Sequence, residues 1–145
     1  MRYDNIRFFS ENIPFKIKKK TALRNWIYDV VNLEKKLTGN INFIFCSDQF
    51  LYQFNKEYLH HNYLTDVITF DYNNGGDFVS GDIYISIERI KENAKKYGVR
   101  MVDELHRVMI HGVLHLMKYL DETPEKKALM HQYEDKYLTL RPNKL

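Results

Sequence analysis

Apolar residues along this chain repeat first at a strand's period and then at a helix's, and the order of those switches limits the fold more than any other feature. Residues 3 to 9 (YDNIRFF) are aromatic and β-branched and read as a first strand. From Lys18 to Leu33, Leu23, Trp26 or Ile27, Val30 and Val31 fall at helical spacing, which predicts an amphipathic helix. Gly39-Asn40 reads as a turn, and Ile41 to Phe45 behind it as a second strand. Ser47 is placed to cap a helix that lines up Phe50, Leu51, Phe54 and Tyr58, because its hydroxyl can accept from an unpaired amide of the first turn. Val67 to Phe70 is a short strand, Asn73-Asn74-Gly75-Gly76 a turn, and Gly81 to Ser86 a fourth strand, expected antiparallel to the third. Helical spacing returns for Glu88 to Tyr97, closed by Gly98, and for a longer helix from about Met101 to Leu116. Thr123 caps a last helix, with Pro124 at the first helical position, where its missing amide is no loss.

The order strand, helix, strand, helix, two strands, three helices predicts an α+β fold, a small mixed four-stranded sheet packed with about five helices. At 145 residues the chain has the length of one ordinary domain, taken as residues 1 to 145, whose core needs no disulfide. Cys46 is the lone cysteine, has no disulfide partner, and lies in an apolar run expected to be buried. No stretch approaches the roughly 20 apolar residues of a membrane span. Met1 to Phe9 mixes charge with aromatics instead of carrying an apolar secretion signal, so the expectation is a cytoplasmic protein. A net charge of +3 permits a nucleic-acid partner without requiring one. The basic runs Lys16 to Lys20 and Lys95-Lys96 could touch phosphates, but such runs are more often solvated faces.

Chemistry concentrates in His111-Gly112-Val113-Leu114-His115-Leu116-Met117-Lys118-Tyr119-Leu120-Asp121. Residues four apart on a helix stand one above the other, so His111 and His115 can aim ring nitrogens at one metal ion. Asp121 follows beyond the expected helix end, where a turn can bring its carboxylate back as a third ligand. Two imidazoles and one carboxylate leave a fourth tetrahedral position for water, the open arrangement of catalytic zinc, so one Zn2+ per chain is expected at the end of a core helix. The pair could instead be two surface histidines, but Val113, Leu114 and Leu116 beside them imply a largely buried helix, and buried histidines need partners. A metallopeptidase shares the spacing but places a Glu after the first His as general base, and here that residue is Gly112. A glycine inside a helix costs about 1 kcal/mol against alanine, which points to close backbone packing or substrate approach there.

These residues resemble the His-Gly-x-Leu-His-Leu-x-Gly-Tyr-Asp-His signature of the YbeY-type rRNA maturation factors. Asn55 to Phe70 (NKEYLHHNYLTDVITF) is similar to the family's Leu-Asn…Tyr-Arg…Thr-Asp-Val-Leu-Ser-Phe stretch, Gly81 to Ile85 to its Gly-Asp-Ile-x-Ile strand, and His106 falls where a His is common. The blocks keep the family's order over roughly residues 40 to 122. The resemblance implies a zinc-dependent, single-strand-specific endoribonuclease of 16S rRNA 3′-end maturation and ribosome quality control, with rRNA and the small ribosomal subunit as partners. His111 and His115 carry over as ligands. Asp121 stands where the family usually has His, and its negative charge would make a bound water less acidic. Lys118 replaces a turn glycine, and Leu59 replaces an Arg thought to hold phosphate.

His60, His61 and Lys118 are the candidates to take over that arginine's contact with substrate. The sequence names no general base. Asp82 or His106 could orient a ligand from behind, and strand or core packing explains each equally well. The rival reading, which Leu59 favours, is a ribosome-associated rRNA-binding assembly factor with a mainly structural zinc.

Overall fold

The computed structural model describes residues 5–59, 65–73 and 75–142. Its elements run β1 (Ile6–Glu11), α1 (Lys20–Leu33), β2 (Leu37–Cys46), α2 (Asp48–Tyr58), β3 (Val67–Asp71), β4 (Phe78–Ser86), α3 (Ile87–Tyr97), α4 (Met101–Leu116) and α5 (Pro124–Leu138). The sheet order is β1-β2-β4-β3, with β1 and β4 parallel to β2 and β3 antiparallel to β4, so the expected α+β fold with a mixed sheet is the one observed.

Strand periodicity divides the core between the two faces of this sheet. Ile41, Phe43, Phe45, Ile83 and Ile85 join Leu23, Trp26 and Val30 of α1 and Val113 and Leu114 of α4 in the main cluster. The alternate residues Cys46, Ile68 and Tyr84 face the other way and meet Phe50, Leu51 and Phe54 of α2. Cys46 is therefore buried, and its thiol is pushed up to about 12 by desolvation and by Asp48. At the far edge of the main cluster the Trp26 indole N–H donates to the Tyr137 carbonyl at 2.9 Å, tying α1 to the end of α5.

The expected caps form where the sequence places them. Ser47 Oγ accepts from Phe50 N at 3.1 Å, Thr123 Oγ1 accepts from Lys126 N at 3.1 Å, and Gly98 closes α3 at φ 67°. Gly39-Asn40 corrects the expectation of a turn. The two residues lie inside β2, which starts at Leu37 and changes register against β4 between Thr38 and Ile41. Glycine is needed at 39 because a Cβ there would stand 2.0 Å from Ser80 Oγ, a demand set by the neighbouring strand.

Gly112 answers the same kind of demand where α4 crosses the sheet. A Cβ at 112 would lie 2.6 Å from Ile83 Cγ2, so the helix backbone rests directly on β4. Gly112→Ala is expected to lose about 1–3 kcal/mol of stability through overpacking, more than the helix propensity it gains, measured as a lower urea midpoint at unchanged m-value.

Candidate metal centre

With Gly112 of α4 pressed on the sheet, the flank of the helix beside it presents Glu104, Arg107, Val108 and His111 to a cleft of about 850 Å3, with His115 one turn further along. His111 Nε2 and His115 Nε2 stand 3.0 Å apart, and each lies 3.5 Å from Asp121 Oδ2. His111, His115 and Asp121 are the group of three metal-capable side chains found among the described residues.

Asp121 reaches this point because of how α4 ends. Lys118 takes a left-handed conformation at φ 76°. Its N–H donates to His115 O at 2.9 Å while Tyr119 N–H donates to Leu114 O at 3.1 Å, the paired bonds of a Schellman stop. The turn reverses the chain, aims the Tyr119 carbonyl at His115 Nδ1 (3.0 Å), and returns Asp121 to both imidazoles. The Tyr119 hydroxyl donates to Glu34 at 2.6 Å, and the Tyr137 hydroxyl donates to the same carboxylate, so the turn is anchored to α1 and α5.

The donor chemistry fits a tetrahedral cation. A carbonyl can only accept, so His115 carries its proton on Nδ1 and leaves Nε2 with a lone pair. His111 Nδ1 faces Glu134 Oε2 at 2.6 Å, which favours the same tautomer. Two Nε2 atoms 3.0 Å apart, with a carboxylate oxygen 3.5 Å from both, form a donor set that one cation can bridge. A tetrahedral zinc with bonds of about 2.0–2.1 Å would separate its donors by roughly 3.3 Å.

Glu134 is the residue that sequence reasoning missed. It is 5% exposed, accepts from Arg107 Nη1 at 2.9 Å, and sits on α5 between Met130 and Tyr137. Those neighbours are four before and three after it, so the helical period alone marks a carboxylate on the apolar stripe of α5, and that spacing is the signal that could have found it. Burial alone would raise Glu134, but His111 and Arg107 hold it below the ordinary carboxylate value. Burial would likewise lower His111, and Glu134 reverses this. His115 is lowered, first by burial and then by His111.

The other named residues are placed elsewhere. His106 is buried, accepts from Arg141 Nη1 on Nδ1 at 2.8 Å and packs on Trp26. Burial and Arg141 push it down to about 4, and it does not touch a ligand. Asp82 accepts from Asn42 Nδ2 at 3.0 Å and from the Tyr72 hydroxyl at 2.7 Å, so it too has a structural role. Lys118 is paired with Asp71 and lines a different groove, with Lys36 and Asn73. Leu59 packs against the small cluster of Cys46, Leu51 and Ile68. His60 and His61 lie outside the described residues.

Comparison with known proteins places this arrangement in context. A family model described as "Endoribonuclease YbeY" matches residues 6–141. The protein named "Endoribonuclease YbeY" from Flavobacterium psychrophilum is 48% identical over 132 residues, covering 91% of this chain and 94% of that one. Its namesake from Cytophaga hutchinsonii is 41% identical over 141 residues, covering 97% and 99%. Among solved structures, the solution structure of TM1509 from Thermotoga maritima superposes with a TM-score of 0.66 at 27% identity, over 92% of this chain and 86% of that one.

The left-handed residue at 118 yields a direct test. A non-glycine residue there is disfavoured by about 1 kcal/mol, and the exposed Lys118–Asp71 pair adds little. Lys118→Gly is expected to raise stability by roughly 0.5–1 kcal/mol in chemical denaturation while leaving metal content unchanged.

Proposed function

Because the chain belongs to the endoribonuclease YbeY family, we propose that it is a zinc-dependent endoribonuclease that cuts single-stranded RNA, with the ion held by His111, His115 and Asp121. The observation that carries the reading is the convergence of two imidazole Nε2 atoms and one carboxylate oxygen, with each Nδ1 already engaged by an acceptor. When bound, the ion supplies Lewis acidity toward a phosphodiester and acidifies water near neutral pH.

The chain's own residues do the rest. Glu134 and the Tyr119 carbonyl fix both imidazole tautomers, so each Nε2 lone pair points to one spot. Arg107 holds Glu134 from the other side, within the same cleft. Lys127 lines the same cleft as Asp121 and offers positive charge to an RNA backbone. His60 and His61 follow directly on Leu59 and are assigned to the phosphate contact that Leu59 cannot make. The substrate we infer is the 3′ end of 16S rRNA on the small ribosomal subunit, in maturation and quality control within the cytoplasm. Support for this comes from the family and from a chain in which no described helix is long and apolar enough to cross a membrane.

A peptidase is disfavoured because position 112, where such enzymes carry their base, has its Cβ space filled by Ile83. Leu59, an apolar side chain packed against Cys46, Leu51 and Ile68, favours the rRNA-binding reading over catalysis, and one experiment separates the two. Metal content and cleavage of a single-stranded rRNA 3′ fragment are measured for wild type, His115→Ala and Glu134→Gln. Wild type is expected to hold about one zinc and cut, His115→Ala to do neither, and Glu134→Gln to bind zinc about 10–100-fold more weakly. Zinc bound by wild type with RNA bound but uncut would establish the binding factor instead, and absence of zinc would overturn the site.

A further inference from the structure

The cleft continues from His111 toward the start of α4, and the carboxylates along it are not equally occupied. Glu134 takes His111 and Arg107, Asp103 takes Arg100 and Arg141, and one oxygen of Asp66 accepts from Asn93 at 3.2 Å. Glu104 differs. It lines the cleft at 6% exposure, and among the described residues no hydrogen bond or ion pair reaches its carboxylate. Its oxygens open on the cleft and are free to accept hydrogen bonds from a ligand there. Burial, with Asp66 and Glu134 nearby and Arg107 opposing, pushes Glu104 up to about 7.

The surroundings define what that ligand is. Glu104 with Asp66 and Glu134 makes this end of the cleft negative, which excludes a phosphate and welcomes hydrogen-bond donors. Tyr97 and Val99, 59% and 46% exposed, line the same cleft and offer a flat apolar surface. Donor edge plus flat face describes a nucleobase. Glu104 and His111 are seven residues apart on one helix, a rise of roughly 10 Å, so a base can sit at Glu104 while its own phosphate lies near the metal ligands. A carboxylate offers two acceptors side by side. Guanine alone presents two adjacent donors, N1–H and the 2-amino group. Adenine and cytosine place an acceptor beside their amine, and uracil flanks its single N–H with carbonyls.

We propose that this end of the cleft is a guanine subsite, in which Glu104 accepts from N1–H and the 2-amino group while Tyr97 and Val99 cover the ring. The proposal rests on the endoribonuclease reading for RNA as the substrate, and it can fail separately from it.

The test titrates GMP, IMP, AMP, CMP and UMP into wild type, Glu104→Gln, Tyr97→Ala and His115→Ala by calorimetry. IMP differs from GMP only by the 2-amino group, and a good bidentate pair discriminates by at least about tenfold. Wild type is expected to bind GMP at least tenfold tighter than IMP and the others. Glu104→Gln is expected to lose that ratio, and His115→Ala to keep it. Tyr97→Ala, a surface change that should not disturb folding, is expected to weaken all five with the GMP to IMP ratio unchanged. Equal binding of the five nucleotides, a preference for AMP or CMP, an undiminished ratio in Glu104→Gln, or no effect of Tyr97→Ala would each overturn the subsite. Full GMP discrimination in a protein that cuts no RNA would leave the subsite standing and remove the endoribonuclease reading.

Discussion

Everything about the site follows from how closely α4 approaches β4. With Ile83 filling the space a side chain would need at Gly112, the helix cannot rotate or lift without opening a gap in the main core. That contact decides which residues of α4 face the sheet and which face the cleft. Val113 and Leu114 go to the core, and His111 and His115 stand away from it with side chains 20% and 22% exposed. A metal centre needs ligands held within tenths of an ångström, and a helix pinned by its own backbone supplies this more reliably than a loop.

The same logic extends through the turn after α4. The Tyr119 carbonyl orients His115, the Tyr119 hydroxyl reaches Glu34 at the end of α1, and that carboxylate also receives Tyr137 from α5. Glu134, on the same face of α5, orients His111. Both imidazoles are therefore fixed by groups whose positions depend on α5 docking. The last helix, whose own pattern is mostly polar, acts as the clamp that sets the ligand geometry. This explains why a mostly polar helix carries a buried stripe of Met130, Glu134 and Tyr137.

Much of this was legible in the sequence where the signal is local. Period, caps and breakers located the elements, and Ser47, Thr123 and Gly98 act as their chemistry predicts. The spacing of His111, His115 and Asp121 was legible because helical geometry converts four residues into one face. What escaped is set by distant neighbours. Gly39 looked like a turn because the reason for its glycine lies on Ser80 of another strand. The Tyr119 carbonyl is backbone and has no residue signature. Glu104 and Glu134 are both buried, and of the two only Glu134 carries a local signal, its spacing from Met130 and Tyr137. His106 was the converse case, a histidine beside the motif that pairs with Arg141 and packs on Trp26 instead of supporting a ligand.

A cleft this acidic is at first sight a poor place for a polyanion, and the distribution of charge resolves the difficulty. Arg107 is committed to Glu134 and Asp135, so it neutralises the clamp and is not free for a phosphate. Asp121, beside the two imidazoles, adds a negative charge that a histidine there would not. Leu59, packed against Cys46, Leu51 and Ile68, brings no positive charge. On the proposed reading, attraction for RNA rests on Lys127 in the cleft lining, on a divalent ion once bound at the two imidazoles and Asp121, and on groups at the other end that prefer base edges to phosphates. A backbone threaded across such a surface would be held where the ion binds and repelled by the carboxylates beside it. Electrostatics of that form position one phosphodiester at the metal more sharply than a uniformly basic groove would, and they do so at the expense of overall affinity.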